Sequence, residues 1–417
     1  MKNKKISTML EFIFFILIII LSIVGVSYIP IISVAFFFLS LFLRSNNGKV
    51  ILLPKNYRKY FWNIIFFVLY GTAVSIVSLL IGDLKNAESI KTVLIGSYLL
   101  LGGMSYIRLA GVDILQLLQF IKCFGVACSI YGIIEYFTRT NITFVFLSEM
   151  TRLHLTQEGR IMSFFGHPII YSCFLSFVLL TLFYFPFNNK KIDVVSKILV
   201  VANIVFTQTR TCFLALFVLL VIILLKKRTI SKRLNKKKFF WTSIILVTFG
   251  TILFIFLRDQ MNVILNSLVE RVGALTLENQ SIRVDIINGY IRYLSSSQNF
   301  FQAIFGAGAG YSTQFVKNLY VLNGWWDTTT DNMFITILLN YGIIGIIPFI
   351  ILLKNVIHMY KNDNNPFKNL GCANMIFLLL SSFTFESLGW PIIIYLFAIS
   401  IVLINKKGEE KNGSFVI

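Results

Sequence analysis

The sequence predicts an all-α polytopic membrane protein, and three observations carry that prediction. Hydrophobic residues make up 57% of the 417 positions and charged residues only 13%, against roughly 25% charged in a soluble domain. Long apolar runs recur from Glu11 to Ile404, and a spanning helix needs about 20 apolar residues. The formal charge of +20 is spread unevenly between alternating loops. A soluble chain of this length forms roughly two or three domains, whose cores cannot hold so many apolar side chains, so a soluble globular protein is excluded.

Twelve spans are predicted, at 8–26, 28–43, 61–82, 92–109, 114–137, 161–186, 192–207, 211–225, 239–257, 332–353, 370–386 and 389–404. The basic start, Met1 to Lys5, is similar to a signal peptide. The apolar stretch runs on almost to Leu43, so the start reads as an uncleaved first helix. The pairs 192–225 and 370–404 are short enough to be re-entrant hairpins instead, and either reading preserves sidedness. The spans divide the chain into a bundle at 1–257, a large outer loop at 258–331, a second bundle at 332–404 and a tail at 405–417.

Orientation follows from Lys and Arg in short loops. Residues 226–238 hold eight basic residues and no acid. With that stretch cytoplasmic, both termini are cytoplasmic and 26 of the 38 basic residues lie inside. Eleven lie outside, and Lys122 falls within a span. The positive charge is therefore a topology signal and does not point to nucleic acid. Inside, the bases are mostly Lys. Outside, eight of 11 are Arg, whose rigid fork suits phosphate and carboxylate. The outer face thus looks built for anions, or for pairing with the outer acids. Cys123, Cys128, Cys173, Cys212 and Cys372 lie in or beside apolar runs, and no disulfide framework is expected.

Two outer segments are long, 138–160 and 258–331. In the second, Ile282, Ile286, Tyr290 and Leu294 recur at helical spacing behind Ser281 as N-cap, which predicts an amphipathic helix at 282–295 lying on the bilayer. Residues 262–275 show a weaker version of the pattern. No phosphate loop, HExxH or CxxC motif occurs, and no DxD-like acidic pair. No cytoplasmic loop is long enough for a nucleotide-driven pump. Chemistry must sit outside or within the membrane, and neither metal nor cofactor is expected.

Several outer motifs carry candidate residues. Arg160 to Pro168 opens the sixth span, and the Gly166–Pro168 break exposes backbone N–H groups to an anion. His167 in it is a cap, a packed histidine or a catalyst. Thr207-Gln-Thr-Arg210 sits between two apolar runs, which holds Arg210 at or just below the outer surface, where a charge is costly and usually functional. Arg283 begins the loop helix, and Arg292, nine residues on, falls on the opposite face. Gly306-Ala-Gly308-Ala-Gly310-Tyr311 permits a tight turn or close approach to a ligand. Trp325-Trp326 is an interfacial belt or a sugar-stacking platform. Asp331, before Asn332, is an N-cap or a base. Gly342 and Gly345 allow close helix packing. Glu135 and Glu386, near the outer ends of two spans, each have an outer Arg as possible partner, and Lys122 needs a partner or a water-filled cavity.

In this order and sidedness, the motifs resemble the O-antigen ligase and O-antigen polymerase superfamily over residues 90–404. The pieces are Arg160 to Pro168, Thr207 to Arg210, Arg283, Gly306 to Gly310, and Asp331-Asn332 to Gly345. The resemblance implies a GT-C-like membrane fold that transfers glycans from a polyprenyl diphosphate on the outer face of the bacterial cytoplasmic membrane, with inversion. Ligases of the family carry a His before the Asn, and this chain has Asp331 there, which moves the expectation toward a polymerase of O-antigen or capsule. It also has Thr209 where the family often has Ser, and His167 where it often has Asn. The implied partners are undecaprenyl-diphosphate-linked oligosaccharides, membrane lipid, a flippase and chain-length regulators. Arg210 and Arg283 are expected on the diphosphate and Arg160 on diphosphate or glycan. Arg292, Gly308, Tyr311 and Trp325 are further substrate-binding candidates, with Asp331 and then His167 as catalytic ones. A ligase, or from another class a flippase or transporter, is the alternative.

Overall fold

The computed structural model describes residues 2–24, 29–46, 49–50, 69–78, 80, 98–141, 160–230, 282–295, 300–321, 330, 332–383, 385 and 390–406. Their architecture is all-α apart from one two-residue antiparallel pairing, Ser45–Asn46 with Lys49–Val50. The helices are α1 (Lys2–Val24), α2 (Ile29–Arg44), α3 (Leu69–Ser78), α4 (Tyr98–Leu109), α5 (Ile114–Thr138), α6 (Pro168–Tyr184) and α7 (Lys190–Phe206). They continue with α8 (Arg210–Ile230), α9 (Ile282–Ser295), α10 (Phe300–Phe305), α11 (Tyr311–Val321), α12 (Met333–Asn362), α13 (Pro366–Ser381) and α14 (Pro391–Asn405). Among the described residues, Ile114–Thr138 and Met333–Lys361 are long and apolar enough to cross a membrane, and shorter apolar helices surround them. Eleven of the twelve expected spans coincide at least in part with helix. The ninth, 239–257, lies outside the described residues, as does 262–275.

Apolar composition fixes which helices sit at the centre. A helix that is hydrophobic all round is buried on all sides, and α14 is buried from Pro391 through Ile404. It packs against α13, α4, α6 and α1. α6 is buried over almost its whole length. Side-chain caps open several helices: Asn189 on α7, Asn365 on α13 and Asp113 on α5, each satisfying N–H groups the helix cannot bond itself.

Two expectations need correction, and a third is met. The sixth helix starts at Pro168, seven residues later than expected, because the residue before a proline is driven to extended backbone and His167 has φ −152°. Arg108, counted among the cytoplasmic bases, is fully buried. Its Nε donates to Glu11 Oε1 at 2.8 Å, its guanidinium carbon lies 3.6 Å from the Phe14 ring centre, and Tyr395 Oη donates to the same carboxylate at 2.9 Å. This pair ties α1, α4 and α14, and a buried charge among apolar helices persists only when so partnered. Lys122 meets its need without a water-filled cavity: Nζ donates to the Phe185 carbonyl at 2.7 Å and faces the Phe187 ring at 4.4 Å.

The largest departure is in α12. Gly342 has φ 64° and ψ −170°, which breaks the helix into 333–341 and 343–362. Gly342 therefore serves a break as well as a close approach. A broken helix frees carbonyls that N–H groups four residues on would have bonded. Here the outer loop supplies the missing donors. Ala307 N–H bonds Leu339 O at 3.0 Å and Gly308 N–H bonds Asn340 O at 2.9 Å, while Tyr70 Oη donates to Tyr341 O at 3.1 Å. The approach is so close that a Cβ on Gly342 would lie 2.2 Å from Ile304 O, and one on Gly306 2.4 Å from Asn340 O.

The expected loop helix at 282–295 is present as α9. Its Ile286, Tyr290 and Tyr293 pack with Phe315 and Val316 of α11 and Ile335 and Leu339 of α12. The apolar face therefore meets protein, and Leu294 turns outward.

Candidate functional site

Arg160 is carried by the non-helical stretch before α6, and it hooks onto the end of α7. Its Nε donates to Thr207 O at 3.0 Å and its Nη2 approaches Thr209 Oγ1 at 3.5 Å. The next residue repeats the contact, with Ile161 N–H on Phe206 O at 3.3 Å. The last carbonyls of a helix lack intrahelical partners and carry its negative dipole end. A guanidinium and an N–H group are what that end needs. The chain then reverses through Gln208 at φ 52°, and Arg210 is the first residue of α8. Two motifs far apart in sequence thus share one corner of the bundle.

The stretch 161–167 is held from below by Glu135, near the end of α5. Glu135 Oε2 accepts from Ser163 N–H at 2.8 Å. Its Oε1 accepts from Met162 N–H at 3.2 Å and from Asn141 Nδ2 at 2.9 Å. Asn141 Nδ2 also donates to Ser163 O at 2.9 Å, and Tyr131 Oη donates to Asn141 Oδ1 at 3.0 Å. Ser163 sits at φ 51°, a conformation non-glycine residues rarely adopt. The carboxylate holds this turn through its backbone. The described partners of Glu135 are thus backbone N–H groups and Asn141, in place of an outer Arg.

His167 is the N-cap of α6, its Nδ1 accepting from Ile169 N–H at 3.2 Å. With Nδ1 used as an acceptor, the proton of the neutral ring is on Nε2, which is then a donor. The ring lies 6.1 Å from that of Phe385 and 5.5 Å from that of Trp390. The same stretch after α13 reaches the start of α12: Asn332 Nδ2 donates to Phe383 O at 3.0 Å and Met333 N–H to Ser382 O at 3.1 Å. Asn332 Oδ1 accepts from Phe334 and Ile335 N–H. The cap of this helix is therefore Asn332, which removes the cap role considered for Asp331. The starts of α6, α8 and α12 and the ends of α5, α7 and α13 all lie at the end of the bundle that the charge pattern assigns to the outside.

The glycine turn is occupied by structure. Beyond the bonds of Ala307 and Gly308 to the broken helix, Ala309 N–H donates to Ser75 Oγ at 2.9 Å, and Ser312 N–H to Asn340 Oδ1 at 2.8 Å. Gly306, Gly308 and Gly310 all have φ near 90°, so the expected tight turn is present, and it docks on the broken helix. Tyr311 opens α11 with its ring 5.9 Å from Tyr293. Arg292 is exposed in the last turn of α9. Arg283 is the second residue of α9. The side chains of Arg210 and Arg283, and all of Trp325, Asp331 and Glu386, lie outside the described residues. Among the described residues no group of three or more His, Cys, Asp or Glu gathers as metal ligands would.

Sequence reading missed Asn141 and the carbonyl of Phe206 as members of this corner. Only Glu135, an acid inside an apolar run, signalled that something polar had to meet it.

Residues 195–350, which run from within α7 through the α7–α8 turn and the outer loop to within α12, match the family model described as O-antigen ligase. No curated protein matches the chain.

Proposed function

We propose that this membrane protein, whose residues 195–350 match the family model described as O-antigen ligase, is the polymerase of polyprenyl-diphosphate-linked repeat units, for O-antigen or capsule. It would span the bacterial cytoplasmic membrane about twelve times in a GT-C-like arrangement, with both termini cytoplasmic. Undecaprenyl-diphosphate-linked glycans are donor and acceptor, and a flippase and chain-length regulators are partners.

The reaction needs a hydroxyl of the acceptor unit to attack the anomeric carbon while the carrier diphosphate leaves. Charge grows on that diphosphate, and donors fixed in advance around it lower the barrier most. The observation that supports this reading is the Arg160 hook on Thr207, which keeps the Arg160 motif beside the N-terminus of α8, where Arg210 begins the helix. A helix N-terminus and guanidinium groups are matched to a diphosphate. Arg210 and Arg283 would clamp it, and Arg160 would hold the corner and face diphosphate or glycan. Asp331, next to the Asn332 cap, is the base or orients the acceptor. His167, with Nδ1 already used, serves as an Nε2–H donor.

The ligase reading has support in the family description itself. Deleting the gene separates the two. Loss of a polymerase leaves single repeat units on their surface anchor, whereas loss of a ligase leaves polymer on the lipid carrier. Units retained on the cytoplasmic side would instead identify a flippase and overturn the proposal.

A further inference from the structure

The two halves of α12 differ in what surrounds them. In the outer half, Met333, Ile335, Ile337, Leu339 and Tyr341 are all buried. In the inner half, Ile343, Ile347, Ile350 and Ile351 form an exposed stripe at helical spacing, the pattern of a lipid-facing helix. The stripe begins at the residue after the break. Hence the outer half of this helix turns into the protein where the inner half still faces out.

Something else occupies the place it vacates. α10 ends at Phe305 directly on the break, with Ile304 O against Gly342 and Tyr70 Oη on Phe305 O at 2.8 Å. Phe300 is 60% exposed, Phe301 73% and Phe305 45%. These exposed rings belong to a helix that packs on α12 at the break. The exposed stripe runs on inward to Leu353, 37% exposed, about 15 Å from Ile343 at 1.5 Å per residue. A hydrocarbon core is about 30 Å thick, so the break, and α10 on it, fall within it.

Irregular backbone at that depth survives only if its polar groups are bonded inside the protein. Four successive N–H groups of the turn meet that condition. The N–H groups of Gly306, Ala307 and Gly308 bond Gln302, Leu339 and Asn340 carbonyls, and that of Ala309 bonds Ser75 Oγ.

We propose that residues 300–310 of the outer loop re-enter the membrane and that Phe300, Phe301 and Phe305 face its acyl chains, completing outward the span that residues 343–362 begin. This rests on the chain being a membrane protein of the proposed sidedness, and it adds a lipid contact that the enzymatic reading does not require. The occupant is fluid lipid because the exposed phenyl rings sit on a helix docked at the break of a helix long and apolar enough to cross a membrane.

The test is spin-label accessibility in the full-length protein reconstituted in vesicles, on a background with Cys123 replaced by Ser. Labels go at Phe301→Cys, at Ile350→Cys on the inner half, and at Lys317→Cys on exposed α11. Collision with oxygen reports lipid, and collision with a water-soluble nickel chelate reports solvent. Phe301 is expected to resemble Ile350, with Lys317 reading as solvent. Phe300→Cys provides the same readout if Phe301→Cys does not accumulate. A solvent reading at Phe301 with a lipid reading at Ile350 overturns re-entry alone. Solvent at Ile350 overturns the membrane span and re-entry with it. A Phe301 label shielded from both reagents, with spin–spin broadening, means a second copy covers the patch and also overturns the proposal.

Discussion

Arg160 Nε lies 3.0 Å from the carbonyl oxygen of Thr207, 47 positions further along the chain. One side chain thereby fixes the stretch leading into α6 against the reversal between α7 and α8. Lys at this position keeps the charge but lacks the rigid fork that sets Nε on the carbonyl with Nη2 beside Thr209 Oγ1. Hydrogen bonds from charged groups contribute about 1.5–3 kcal/mol, so Arg160→Lys should lower glycan output by roughly tenfold to a hundredfold. Glycan ladders at matched membrane expression measure this, and an unchanged ladder would detach the hook from activity.

The clamp on the leaving diphosphate makes a separate demand. Losing one transition-state contact costs roughly 3 kcal/mol, or about a hundredfold in rate. Arg210→Lys and Arg283→Lys should each approach that loss. Arg258→Lys, read as an interfacial anchor, should change little, because a cation on an apolar stem suffices there. Full ladders from both clamp variants would leave the outer arginines as partners of outer acids.

Adjacent residues at the start of α12 should separate chemistry from capping. Asn332→Ala removes the acceptor for Phe334 and Ile335 N–H and should cost about 1 kcal/mol of stability, seen as a lower melting temperature in detergent. Asp331→Asn should leave melting unchanged and reduce turnover by about two orders of magnitude or more. Normal polymer from Asp331→Asn would remove it as the base.

Glu135→Gln tests the support beneath the Arg160 turn. The amide NH2 must face either Met162 N–H or Ser163 N–H, donor against donor. A buried N–H left without an acceptor costs about 1–3 kcal/mol. Melting temperature should fall, and output should fall with it even though Glu135 touches no substrate. An unchanged melting temperature would show that the carboxylate does not hold the turn.

How much of this was readable in the sequence depended on the range of the interaction. Apolar runs are local, so α1 to α8 and α12 to α14 were predictable, as was α9 from Ile286 and Tyr290, whereas the short α10 and α11 were not. The Arg160 and Thr207 motifs were visible singly, but their hydrogen bond is a tertiary event that neither motif encodes alone. Arg108 read as cytoplasmic because a short turn follows α4, and only the buried Glu11 changes that. Gly342 looked like a packing glycine because a positive φ leaves no mark in composition. Asp331 and Asn332 are both good caps by residue type, and only the backbone chooses between them.

The seam at Gly342 also fixes an order of events during synthesis. The carbonyls of Leu339, Asn340 and Tyr341 find donors at Ala307, Gly308 and Tyr70, all of which lie earlier in the chain. When the ribosome delivers the broken helix, each partner has already been made. A circular permutant that began at residue 333 would reverse that order. The carbonyls would then first bond the helix's own N–H groups four residues on, and the break could form only once the loop arrived.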